Sequence, residues 1–83
     1  MKIVFKLFAT LTDYLPADRK YNAVELEVDP ATTIGDLVAR FNLPEKLVHL
    51  VLVNGVYVAP ADRASRTLQE GDTLAIWPPV AGG

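Results

Sequence analysis

The sequence predicts an α+β domain in which a mixed β-sheet packs on one main helix. Three observations carry that expectation. Residues 23–29, AVELEVD, alternate apolar and polar positions as a half-solvated strand does. Residues 33–41 set Ile34, Leu37, Val38 and Phe41 at helical spacing behind a start signal at Thr33. Asn54-Gly55 splits the apolar run HLVLVNGVYV, a strong sign of a tight hairpin.

Taken in chain order, KIVFKLF (residues 2–8) is a strand, with Ile3, Phe5 and Leu7 on one face and Val4, Lys6 and Phe8 on the other. The polar stretch TDYLPADRKYN is a connection turning at Pro16, so the first two strands form a hairpin. In the second strand Val24, Leu26 and Val28 point one way, Glu25 and Glu27 the other. After Pro30 the period changes. Thr33 and Asp36 are spaced as a capping box: the Thr33 side chain accepts the amide of the third helical residue, and Asp36 reaches back. Such a cap contributes about 0.5–2 kcal/mol.

Asn42 and Pro44 stop the helix, and PEKLVHL can add a short turn before the next strand. PADRASRTLQEGD reads as loop with a short element, and Glu70-Gly71-Asp72 as a turn into TLAIW. There Leu74 and Ile76 face one side, Thr73, Ala75 and Trp77 the other. Pro78 and Pro79 lack backbone donors and end strand pairing. A helix apolar on one side must lie across a sheet. The order strand, strand, helix, strand, short strand, strand is therefore that of a β-grasp, the ubiquitin-like fold. A ferredoxin-like fold would need a second full helix between Asn54 and Thr73, where Pro60, Gly71 and the scarcity of apolar residues oppose one. Residues 1–77 are expected to form the β-grasp domain and residues 78–83 a flexible C-terminal tail ending in Gly-Gly.

Composition narrows the function. Eighty-three residues make one domain, and a chain of this size buries only roughly 60–65% of its unfolded surface. The 51% hydrophobic and 22% charged content, without low-complexity runs, is that of a folded chain. Eight basic against ten acidic residues, net charge -2, argue against a nucleic-acid or anionic-membrane binder. With no cysteine there is no disulfide, no thiolate metal site and no thiol nucleophile, so any sulfur chemistry must use sulfur from elsewhere. MKIVFKLFATLTDYLP lacks the apolar length of a signal peptide or membrane span, and a cytoplasmic protein is expected.

Individual residues add candidates. Leu50 and Leu52 alternate with Val51 and Val53, while Phe8 and Trp77 lie opposite the expected core positions. Phe8, Leu50, Leu52 and Trp77 either close the sheet's second face without function or form an exposed apolar patch, the usual mark of a protein-binding face. The patch is the preferred reading, with Lys6 at its rim; Arg63 and Arg66 either add polar rim contacts or are solvated loop charges. His49 has no ligand cluster, Ser65 no adjacent base, and Asp62 and Glu70 read as loop solvation rather than an acid–base pair.

The segments VLVNGVYV, LQEGDTLAIWPP and terminal VAGG, in this element order, resemble the ubiquitin-like sulfur-carrier family over essentially the whole chain. That family includes the small subunit of molybdopterin synthase and the sulfur carrier of thiazole synthesis. The resemblance implies that Gly83, preceded by Gly82, carries the reacting carboxylate. An ATP-using adenylating enzyme of the ubiquitin-activating kind would activate it, and conversion to a thiocarboxylate would make it a sulfur donor. ATP belongs to that partner, and no cofactor is expected on this chain. A sulfur-using partner, such as the large subunit of molybdopterin synthase, is implied as well. The proline pair and the residues around LPEKLVHL lean towards the molybdopterin side. Thr12 and Asp13, however, stand where molybdopterin-synthase small subunits often carry an arginine. A carrier for thiamine thiazole or another sulfur-containing metabolite is the alternative. A ubiquitin-like binding module that never uses its terminus is another.

The residue chemistry agrees with that resemblance. A carboxylate is a poor electrophile, and no GxxxxGK[ST] phosphate cradle is present, so a partner must bring the nucleotide. Glycine at the tip permits close approach inside another enzyme's site. Pro78 and Pro79, leading into Val80 and Ala81, restrict the stem and lower the entropy lost when it enters a channel.

Overall fold

In the computed structural model, which describes residues 1–79, alternation along the first two strands decides their pairing. Strand β1 (Lys2–Leu7) runs antiparallel to β2 (Ala23–Glu27), with Ile3 opposite Leu26 and Phe5 opposite Val24. This register turns Ile3, Phe5 and Leu7 inward with Val24 and Leu26, while Glu25 and Glu27 stay in solvent.

Helix α1 (Ile34–Arg40) starts at the predicted cap. The Asp36 N–H donates to Thr33 Oγ1 and the Thr33 N–H to Asp36 Oδ2, both at 3.0 Å. These bonds satisfy donors that a helix start otherwise leaves open. The helix buries Ile34 and Leu37 fully and half-buries Val38 and Phe41, whose ring stacks on Phe5 at 5.0 Å. It ends where Asn42 turns left-handed at φ 57° and the Leu43 N–H closes on the Val38 carbonyl.

Strands β3 (Leu50–Val53) and β4 (Val56–Tyr57) form the Asn54-Gly55 hairpin. Both turn residues have positive φ, 51° and 82°, as a two-residue loop of this twist requires. Strand β5 (Thr73–Trp77) enters between β1, to which it is parallel, and β3, to which it is antiparallel. The sheet order is β2-β1-β5-β3-β4, with α1 the one α-helix among the described residues, the β-grasp arrangement that the element order predicts.

The short elements at Glu45–Leu47 and Pro60–Asp62 are 3₁₀ turns. The connection after β1 is more ordered than its polarity suggests. Ala9–Tyr14 forms a 3₁₀ segment that buries Leu11, and Leu15 is buried just after it. The Arg19 guanidinium donates to the Thr12 carbonyl, tying the two halves of the connection together.

Candidate functional site

Strand direction assembles the site. Because β1 and β5 run parallel, Phe8 and Trp77 leave the sheet at the same end, on the face opposite the core. Their rings stack at 3.9 Å and 9° between planes, and the Phe8 N–H donates to the Ile76 carbonyl at 3.2 Å. Register adds the neighbours. Leu50 lies opposite Trp77; Leu52 lies opposite Ala75 on one side and Tyr57 on the other; Lys6 lies opposite Ala75 across β1. Directly opposed residues share a face, so Lys6, Phe8, Leu50, Leu52 and Trp77 come together as one surface. All five are half-buried, Ala75 between them is buried, and Tyr57 on the edge strand is exposed.

The chain leaves this face at Trp77, whose carbonyl accepts the His49 N–H at 3.1 Å. Pro78 is still buried and Pro79 is exposed. Val80, Ala81, Gly82 and Gly83, which hold the expected reacting end, lie outside the described residues.

Two expected rim residues are elsewhere. Arg63 is 9% exposed and not at a rim. Its Nε donates to the Val58 carbonyl, Nη1 to that of Val48 and Nη2 to that of His49, at 3.1–3.2 Å. Three peptide oxygens hold the guanidinium inside, which no pattern within the local sequence PADRAS could signal. Arg66 is exposed, but its Nε donates to the Thr67 carbonyl and it shares a shallow cleft with Asn54 and Asp72. That cleft is at the Thr73 end of β5, remote from Trp77, because the polypeptide between Arg66 and β5 joins the opposite end of the strand.

The remaining polar candidates hold the fold. Asn54 donates from Nδ2 to Asp72 and accepts the Thr73 N–H, closing the hairpin on the start of β5. The Glu70 carboxylate accepts the Lys2 N–H. The Ser65 hydroxyl donates to the Asp62 carbonyl at 3.3 Å, and His49 is exposed. Among the described residues no group of three or more His, Asp or Glu side chains could hold a metal ion, and no helix is long and apolar enough to cross a membrane. What the arrangement offers is a half-buried, largely apolar surface beside the point where the chain leaves β5.

The ThiS family model matches residues 5–83, and the chain belongs to that family, within the ubiquitin-like sulfur-carrier superfamily. Solved structures are similar to it. SAMP1 of Haloferax volcanii, a small archaeal modifier protein by name, is 30% identical with all of both chains covered and a TM-score of 0.68. The Haloferax volcanii HVO 2177 protein is 27% identical over 100% of this chain and 87% of its own, TM-score 0.75. A chain in the complex of subunits 1 and 2 of the molybdopterin-converting factor from Helicobacter pylori 26695 is 19% identical over both full lengths, TM-score 0.60, a likeness of fold. No curated protein matches the chain.

Proposed function

We propose that this chain is a sulfur carrier whose reacting group is the Gly83 carboxylate. A carboxylate oxygen attacks the α-phosphorus of ATP on a partner enzyme, releasing pyrophosphate and leaving an acyl-adenylate. A sulfur nucleophile supplied by the partner system then attacks the carbonyl carbon, AMP departs, and the resulting thiocarboxylate delivers sulfur to an acceptor. The observation that carries this reading is ThiS-family membership over residues 5–83 in a chain ending in Gly82-Gly83.

Family membership supports delivery to a thiamine thiazole or another sulfur-containing metabolite more than to molybdopterin. The molybdopterin route is supported by the proline pair and by a neighbour of 19% identity, and opposed by Thr12 and Asp13. Seen in a complex of two subunits, that neighbour also supports a docking partner for the Phe8–Trp77 face. Likeness to a small archaeal modifier protein favours a second reading, in which the same activated carbonyl is passed to an amine of a target protein. Because activation consumes ATP, the proposed compartment is the cytoplasm.

Intact-mass spectrometry after incubation with ATP, sulfide and candidate adenylating enzymes tests the proposal. The expected product has one oxygen replaced by sulfur, with fragment ions assigning the change to Gly83 rather than to oxidised Met1. A Gly83 amide should be inert. If amidated and free chains served every candidate pathway equally, the carrier reading would give way to a binding module. Appearance of a lysine-linked adduct in place of the thiocarboxylate would favour the modifier reading.

A further inference from the structure

Arg63 takes no part in the proposed chemistry, yet its surroundings are unusual for a cation. It is buried, and its guanidinium donates to three carbonyl oxygens, those of Val48, His49 and Val58. Burying a charge without full hydrogen bonding is costly, and the planar fork of arginine can meet three divergent acceptors where a lysine ammonium cannot. The acceptors flank one unit: Val48 and His49 immediately precede β3, and Val58 follows β4. Arg63 therefore grips both ends of the β3–β4 hairpin.

That grip reaches the C-terminal exit through a single peptide. In the Val48–His49 peptide the Val48 carbonyl accepts from Arg63 Nη1 at 3.2 Å, and the His49 N–H donates to the Trp77 carbonyl at 3.1 Å. On its other side Arg63 is fixed to the helix: its own carbonyl accepts the Gly35 N–H at 2.9 Å. Gly35 permits this approach, since a Cβ there would stand 3.3 Å from Ala64 Cα and 3.5 Å from the Arg63 oxygen. A line of hydrogen bonds runs from the first turn of α1, through the Arg63 backbone and guanidinium and the Val48–His49 peptide, to the last residue of β5.

We propose that Arg63 is a positioning residue for the C-terminal exit: by fixing the Val48–His49 peptide it holds the Trp77 carbonyl and sets the direction in which Pro78 and Pro79 leave the sheet. Both prolines have a locked φ, so a direction set at Trp77 is carried as far as Pro79. The functional consequence rests on the carrier reading; the structural one does not. Small misplacement of a reacting group can lower a rate by about 10²-fold, which makes exit geometry a determinant of turnover rather than of docking.

The test uses the full chain with Arg63→Lys and Arg63→Met. Three readouts separate positioning from general stability. Hydrogen exchange compares the His49 amide with the Phe5 and Leu74 amides of the core. Emission and near-UV dichroism of the single tryptophan report on the Phe8–Trp77 stack. ATP–pyrophosphate exchange gives kcat and KM with the adenylating enzyme that activates the wild-type chain.

In Arg63→Lys, His49 exchange is expected to accelerate about tenfold or more while Phe5 and Leu74 stay within about twofold of wild type. The tryptophan signals should shift, and kcat should fall about tenfold with KM within about twofold, the pattern of a group misplaced after docking. Arg63→Met should do the same more strongly. Loss of His49 protection only in step with Phe5 and Leu74 would overturn the proposal, as would unchanged kcat once His49 has loosened. Failure of both variants to fold would also overturn it, because Arg63 would then be a stability residue alone. A wild-type chain inert to every adenylating enzyme would sink the carrier reading, while His49 exchange would still decide whether Arg63 holds the exit.

Discussion

β1, β3 and β5 each divide their side chains between two faces of one sheet, and those faces meet different fates. On one, Ile3, Phe5, Leu7, Val51, Val53, Leu74 and Ile76 are at most 2% exposed. On the other, Lys6, Phe8, Leu50, Leu52 and Trp77 are only half-buried. Both sets are rich in strand-forming apolar residues, so composition does not separate them. The core face has α1 lying against it, with Leu37 and Phe41 reaching the sheet; the second face keeps its leucines and aromatic pair partly in solvent. Its β2 end reads differently again, with Glu25 and Glu27 outward. Most of the apolar side chains on the second face of β1, β3 and β5 thus gather beside the C-terminal exit, with Val4 further along β1, a distribution that suits a partner-binding surface.

The comparison breaks most forcefully on the core side. Leu37→Ala removes a fully buried side chain from the helix–sheet contact and should cost about 2–5 kcal/mol. Chemical denaturation measures it as a lower midpoint at unchanged slope. Where enough chain remains folded, affinity for the partner should be unaltered, because distant sites act additively. A stability loss inside experimental error would remove Leu37 from the core and undo the assignment of the two faces.

How far these faces could be read from sequence depends on the range of the interactions. The Thr33–Asp36 cap, the Asn54-Gly55 turn and the alternation in residues 23–28 are local chemistry, and each is legible because the residues that act are neighbours. The Phe8–Trp77 surface was half legible: alternation put both rings opposite the core positions, but only the parallel β1–β5 register stacks them. Leu11 and Leu15 carried a signal in their four-residue spacing that the surrounding polar residues obscured. Arg63 carried none. Its three acceptors come from two segments that the hairpin brings together, and an arginine in a polar loop looks solvated until that closure is known. Arg66 fails for the related reason that the loop's direction, rather than its composition, decides which end of β5 it meets.

On the second face the larger effect is expected at Trp77. Trp77→Ala removes one ring of the stack and the residue at the exit. A buried aromatic anchor commonly costs at least about 2 kcal/mol of binding when truncated, whereas an aromatic pair adds only about 0.5–1.5 kcal/mol to the fold beyond its area. Calorimetry against the proposed activating enzyme and the proposed sulfur-using partner should therefore show an affinity loss exceeding the stability loss. Equal affinity for every cognate partner would leave the ring as a cover for the sheet and return the second face to a purely structural role.

The smallest effect, and the one that sharpens the comparison most, belongs to Lys6. Lys6 is half-buried at the β2 side of the apolar surface, opposite Ala75 on β5 and Ala23 on β2, a setting in which lysine methylenes cover apolar neighbours while the ammonium stays in water. Lys6→Met keeps the stem and deletes the charge. Stability should change by no more than about 0.5 kcal/mol, as for a surface site without a buried partner. If the ammonium steers an acidic partner surface, the association rate should fall a few-fold at low salt and converge with wild type as salt is added, with the dissociation rate nearly constant. Stopped-flow binding at two ionic strengths reads both rates. A faster dissociation at either salt would instead make the Lys6 ammonium part of the desolvated contact, and an association rate equal to wild type at both would reduce Lys6 to a cover for Ala75. Each result assigns this rim of the second face a different character, and only salt-dependent steering makes it the part of a partner surface whose charge sets the approach while the apolar part does the holding.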